Sequence, residues 1–255
     1  EKDALQMMRY SFLLVGLWWL GFSQYSYKYL PSFKNNNKLR FDILFNGFRE
    51  LQKAGQLIQQ IQSLKRYLTA FFVYSMAVQT VMLIATYFGA QEIQWASQSE
   101  STTGLIICIL LIQLVAIVGA TFTSKASKKY GNIPTLIAIN GFWIVLCVLA
   151  YFIYLPIHFY VMAGFVGLVM GGIQALSRST YSKFLPQESP DHTSFFSFYD
   201  VAEKVALVFG LFIFGFIDEQ LGMRNSVIAL TVFFVLGLLF LLALKKVEPK
   251  SVKVD

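Results

Sequence analysis

The fold class predicted for this 255-residue sequence is an all-α, polytopic bundle of about seven membrane-spanning helices. Three observations predict it. Hydrophobic residues make up 56% and charged residues 14%, where a soluble domain carries about 25% charged residues. Mean hydropathy is +0.57. Apolar runs long enough to cross about 30 Å of hydrocarbon recur along the chain. That composition excludes both a disordered chain and an ordinary soluble domain.

The first run covers residues 10–30. The others cover 66–89, 103–124, 134–152, 155–178, 195–217 and 225–245. Only Tyr154, Leu155 and Pro156 separate the fourth from the fifth, and proline there favours a tight reversal over one continuous helix. Residues 31–65 form a long connection in which Phe41, Leu44, Phe48, Leu51, Ile58, Ile61 and Leu64 recur at three- and four-residue steps among Lys, Arg and Gln. Phe45 and Leu57 belong to the same set, which is the pattern of an amphipathic helix lying on a membrane surface, serving either as a linker that couples two bundles or as a passive interfacial anchor.

Lysine and arginine collect on the cytoplasmic side of a membrane protein. Of the 21 here, all but Lys2, Arg9, Arg224 and Lys204 fall on one face of the expected bundle. Seven spans then place the carboxyl terminus in the cytoplasm and the amino terminus outside. The chain opens on Glu1 with no signal-peptide pattern before the first run, so a piece beginning in an external loop of a longer protein is expected. The net charge of +7 is spread over loops that flank apolar runs, which excludes a nucleic-acid face. Cys108 and Cys147 sit inside apolar runs as packing residues. His158 and His192 lie in different loops without an acidic or cysteine cluster, so no metal is implied.

The motifs refine this reading. Gly171, Gly172, Ile173, Gln174, Ala175, Leu176, Ser177, Arg178 and Ser179 form one continuous run, followed by Tyr181, Pro186, Phe195, Phe196, Phe198 and Tyr199. Arg9 with Trp18 and Trp19, the Gln79–Thr80 pair, and Phe88, Gly89 and Ala90 with Glu92 accompany it. Together they resemble the vacuole-effluxer-like branch of the major facilitator superfamily. The resemblance implies the sixth helix, central loop and carboxyl-terminal half of a twelve-helix carrier: residues 1–30 as the last helix of the amino-terminal half, 31–65 as a cytoplasmic amphipathic linker, 66–245 as the six-helix half and 246–255 as a tail. Two stretches depart from it. Where the superfamily usually carries an Asp-Arg-x-Gly-Arg loop, this chain has Ser127, Lys128, Lys129, Tyr130, Gly131 and Asn132, which keeps the basic residues and glycine but lacks the acid. Ser75, Met76 and Ala77 stand where many members place an acidic residue and a glycine.

Transport requires polar groups near the middle of an apolar bundle. Gln79 and Thr80 lie roughly 20 Å along their helix from Arg66, where an amide and a hydroxyl either contact a solute or hydrogen-bond a neighbouring helix. Tyr74 and Asn140 are further candidates. In the sixth run, Asp200, Glu203 and Lys204 precede an uncharged stretch, 205–217, of only about 20 Å, so charge enters the membrane region. Asp200 and Lys204 have same-face spacing. Either Asp200 or Glu203 accepts and releases a proton or pairs with a substrate ammonium, or all three form a structural charge network at a wet mouth. Gly171 and Gly172, with Gly164 and Gly167, serve helix packing or gating. Gln174 and Arg178 would move with such a gate, as would Lys128 and Gly131 at the basic loop.

The function expected is secondary transport of a small polar solute, with amino acids the class the resemblance suggests. Its partners would be the lipid bilayer, protons and a missing amino-terminal six-helix half. A bacterial inner membrane is the expected location. No phosphate-cradling Gly-rich loop is present for ATP, so an ion gradient is the expected energy source, and no cofactor is implied. Enzyme chemistry is not expected, because neither a Ser/His/Asp arrangement nor a His-Glu-x-x-His zinc motif occurs. The rival reading is a non-transporting membrane scaffold or receptor.

Overall fold

Long apolar runs satisfy their backbone groups internally by forming helices, the only open-ended structure that lipid tolerates. The computed structural model describes residues 2–30, 42–186 and 192–245. Eight helices are present among them and no strand: α1 (Lys2–Tyr29), α2 (Asp42–Gln60), α3 (Gln62–Glu92), α4 (Gln98–Tyr130), α5 (Asn132–Tyr151), α6 (Pro156–Phe184), α7 (His192–Leu221) and α8 (Met223–Lys245). Each of the seven expected runs forms a helix to within one residue of its limits and extends beyond them at one end or both, because a helix continues through the interfacial layer after its hydrocarbon stretch ends. The expected tail 246–255 and the opening of the linker, 31–41, lie outside the described residues.

Five of the eight, α3, α4, α5, α6 and α8, are long and apolar enough to cross a membrane. Of the seven expected spans, α1 and α7 fall short of this measure. α1 is diluted by Tyr10, Ser11, Ser23, Gln24 and Tyr25. In α7, Asp200, Glu203 and Lys204 on one side and Asp218 and Glu219 on the other confine the uncharged stretch to residues 205–217. The chain remains a polytopic helical membrane protein.

Local chemistry sets the turns. Ser97 caps α4 by accepting the Glu100 amide N–H at 3.2 Å, while the Glu100 carboxylate accepts the Ala96 N–H at 2.9 Å, a reciprocal arrangement of capping-box type. Pro156 begins α6, where a missing N–H costs nothing. The two reversals α4–α5 and α7–α8 turn at Gly131 and Gly222, with φ of 91° and 85°, a region that only glycine enters freely.

The chain divides into two units, Glu1–Leu44 and Phe45–Asp255. The first contains α1, along which Trp18 and Phe22 pack at 4.5 Å between ring centroids. The second contains most of α2 and all of α3 to α8. Its centre is α3: 56% of its most apolar stretch is buried, against 17% for α4. Tyr67, Phe71, Tyr74 and Ala77 of α3 face the core with Trp143 and Phe234, whose rings stack at 5.5 Å between α5 and α8. Cys108 and Cys147 are buried free thiols. Ala54 and Ile58 of α2 are buried, and Gly55 lies against the Phe198 ring of α7.

α4 and α6 meet along small residues. A Cβ on Gly119 would fall on the Leu168 carbonyl, one on Gly171 would stand 2.5 Å from the Ala116 carbonyl oxygen, and one on Gly172 would meet the Thr123 hydroxyl. Backbone cannot yield as a flexible side chain can. Gly119→Val is therefore expected to cost about 3 kcal/mol, the upper part of the overpacking range. Gly164→Val, where nothing lies within 4 Å, is expected to be nearly neutral. Thermal unfolding of both variants in detergent checks the contrast, and equal effects would contradict it.

Candidate functional site

Three helices contribute one polar face each. In α3, Tyr74, Ser75, Val78 and Gln79 are separated by steps of one, three and one; in α6, Ile173, Gln174, Ser177 and Arg178 repeat that spacing; in α7, Tyr199 and Glu203 are four apart. Such steps place residues on one side of a helix. Together they line a cleft of about 360 Å³, the most polar concavity described in the bundle.

A hydrogen-bonded layer connects its walls. Gln79 Nε2 donates to Glu203 Oε1 at 2.8 Å, joining α3 to α7. The Tyr74 and Ser177 hydroxyls share a bond of 2.7 Å, and Tyr67 Oη donates to the Ser177 carbonyl at 2.7 Å, so Ser177 fastens α6 to α3 twice. Among the described residues, Gln174 Nε2 meets only the Met82 sulfur, at 3.3 Å, a weak acceptor. Phe71 stacks on Tyr199 at 4.2 Å and completes an aromatic wall.

The charges pair differently from the same-face reading. Asp200 does not pair with Lys204; its Oδ1 accepts from Arg178 at 3.2 Å, and the guanidinium lies over Phe196 at 5.3 Å and Tyr199 at 6.0 Å. The planar guanidinium rests on an aromatic shelf that the flexible lysine cannot use in the same way. Lys204 instead approaches Glu203 at 3.6 Å with its side chain 70% exposed, while Glu203 is 22% exposed. Glu203 is thus the carboxylate turned into the cleft, and Asp200 belongs to the rim.

Tyr74, Gln79, Gln174, Arg178 and Glu203, singled out in the sequence, converge here. Thr80 does not: its buried hydroxyl lies against Gly210 of α7, without a hydrogen-bond partner among the described residues. Asn140 is fully buried in α5 and donates to the Leu136 carbonyl at 2.9 Å; α5 contributes nothing to the cleft. Gly171 and Gly172 turn to α4. Lys128 is exposed and Gly131 forms the α4–α5 turn.

That turn is fastened without an acid. Asn132 Oδ1 accepts from the Ser127 hydroxyl at 2.7 Å and from Lys183 Nζ at 3.0 Å, and Asn132 Nδ2 donates to the Thr180 hydroxyl at 3.0 Å. One amide joins the ends of α4, α5 and α6. At the opposite end, Arg224 Nε donates to Glu92 Oε2 at 2.7 Å, and its other nitrogens donate to the Tyr151 and Glu92 carbonyls at 2.7 and 2.8 Å. Ser177, Asn132 and Arg224 were absent from the sequence-based candidates. Asn132 and Arg224 sit in turns that look merely polar, and Ser177 was quoted only as part of a motif.

Comparison with known proteins agrees with this architecture. An uncharacterized MFS-type transporter, YxiO of Bacillus subtilis, is 27% identical over 237 residues, covering 91% of this chain and 52% of that protein. Autophagy-related protein 22 of Eremothecium gossypii is 26% identical over 231 residues, covering 84% of this chain and 44% of its own length. The corresponding protein of Vanderwaltozyma polyspora is 25% identical over 283 residues, covering 96% and 50%. The chain spans about half the length of these curated relatives. A family model described as vacuole effluxer Atg22 like matches residues 1–251, and with a helical membrane bundle beneath that match, the chain belongs to this family of transporters.

Proposed function

We propose that this chain is the carboxyl-terminal half of a secondary carrier that moves a small polar solute by alternating access, with the cleft among α3, α6 and α7 as its half of the solute site. The observation that carries the reading is the convergence of Gln79, Gln174, Ser177 and Glu203 on one concave face of an apolar bundle. Polar and ionisable groups inside membranes are costly and characteristically face a solute path. Glu203 offers a carboxylate to an ammonium group, and the Gln174 amide, held only by a thioether, offers a donor to a carboxylate. That pairing suits amino acids, so they are the first class to test. Glu203 is also the proton carrier of the proposal, with Asp200 and Arg178 as a rim latch. The basic ends of the helices face the cytoplasm, in a bacterial inner membrane, and the amino-terminal half covers the cleft from the other side.

The test is uptake by the full-length protein in proteoliposomes, with amino acids, dipeptides and sugars supplied under an imposed pH gradient. Accumulation of one amino-acid class above the protein-free level is expected. No accumulation and no counterflow of any solute would favour a scaffold or receptor.

A further inference from the structure

Where α3 begins and α8 ends, the two helices leave between them a groove of about 800 Å³. Lys65 and Arg66 stand at its rim, and Leu239, Phe240, Leu242 and Ala243 form its apolar wall. It shares no residue with the solute cleft. Both cations are exposed, and among the described residues no acidic side chain lines the groove and neither cation enters an ion pair. Leu239 and Phe240 are 54% and 43% exposed.

Position and charge together select an occupant. α3 and α8 are both long and apolar enough to cross a membrane, which puts their basic ends at headgroup level. Leu239 precedes Lys245 by six residues, about 9 Å of helix, which places the wall below the headgroups in hydrocarbon. Lys245 closes α8 at the same end and adds a third positive charge. A molecule that fits must join a negative head to an apolar tail. A free anion would leave the wall unfilled, and a zwitterionic lipid would not answer the unpaired charge. We propose that the groove binds an anionic phospholipid, its phosphate between Lys65 and Arg66 and an acyl chain along Leu239, Phe240 and Ala243. Basic pockets at helix ends hold such headgroups in membrane proteins generally.

The experiment uses the full-length protein in neutral detergent, titrated with phosphatidylglycerol and with phosphatidylcholine of the same chains, binding being read by native mass spectrometry and by thermal shift. Wild type is expected to prefer phosphatidylglycerol. The Lys65→Gln/Arg66→Gln variant is expected to bind it about thirtyfold more weakly, the loss appropriate to two interfacial charges. Ala243→Trp keeps both cations but fills the wall, and is expected to lose binding too. Lys128→Gln/Lys129→Gln, at the same end of the bundle but away from the groove, is expected to retain it. Equal affinity for the two lipids, an unchanged affinity in either groove variant, or an equal loss in the Lys128/Lys129 variant would overturn the proposal. So would inorganic phosphate reproducing the full thermal shift, since that assigns the anion without its chain.

Discussion

Replacing Glu203 by Gln is expected to abolish pH-gradient-driven accumulation while leaving solute counterflow measurable. The carboxylate is 22% exposed and within 2.8 Å of the Gln79 amide, so its charge is held on the cleft wall rather than in bulk water. Glutamine is nearly isosteric and imitates the protonated acid. A carrier whose proton resides on Glu203 is then fixed in one protonation state. Coupling between two ligands of one protein is typically 5–150-fold, so a dependence of solute affinity on pH of about tenfold should flatten in the variant. Asp200→Asn is expected to retain the dependence, because Asp200 is a half-exposed rim residue already paired with Arg178. Accumulation that survives in Glu203→Gln would remove Glu203 from coupling. Loss of both accumulation and counterflow would remove the proton role and leave Glu203 only its contact with the substrate ammonium.

Arg224→Leu is expected to cause a large loss of stability. Arg224 is 13% exposed and Glu92 27%. The guanidinium occupies the Glu92 carboxylate and two helix-terminal carbonyls, those of Glu92 in α3 and Tyr151 in α5, and lies 3.9 Å from the centre of the Tyr154 ring. Leucine leaves the carboxylate and both carbonyls unanswered. Breaking one side of a buried pair costs about 3–5 kcal/mol; partial exposure here places the expectation at about 3 kcal/mol. Arg224→Lys, which keeps the charge but not the planar fork, should recover less than half. Unfolding of the three proteins in detergent measures this directly, and a Leu variant within about 0.5 kcal/mol of wild type would contradict it.

These two residues mark where sequence reasoning succeeds and where it stops. Helices announce themselves through apolar runs, and Glu203 and Gln79 are visible because polar groups interrupt such runs. Asn140 and Thr80 interrupt them equally well. What separates the pairs is the direction each residue faces around its helix relative to its neighbours, which depends on which helices pack together. α5 packs on α8 and α6, whereas α3 packs on α7; only the second seam opens into the cleft. Arg224 and Glu92 are 132 positions apart and Tyr74 and Ser177 are 103 apart, separations at which local spacing carries no information. The Asp200–Lys204 expectation failed for a related reason: four-residue spacing permits a pair, but Arg178 arriving from another helix competes for the same acid and prevails.

The glycine contacts between α4 and α6 have a mechanical consequence. Two helices whose backbones touch at Gly119, Gly167 and Gly171, with Gly172 against the Thr123 side chain, have almost no side-chain layer in which to slide, and Asn132 ties their ends as well. They act as a single lever. Ser177 and Arg178 ride on that lever, so under the proposed alternating access the cleft widens at the seams of α6 with α3 and α7, where tyrosine and arginine bonds can exchange partners, and α4 swings with α6.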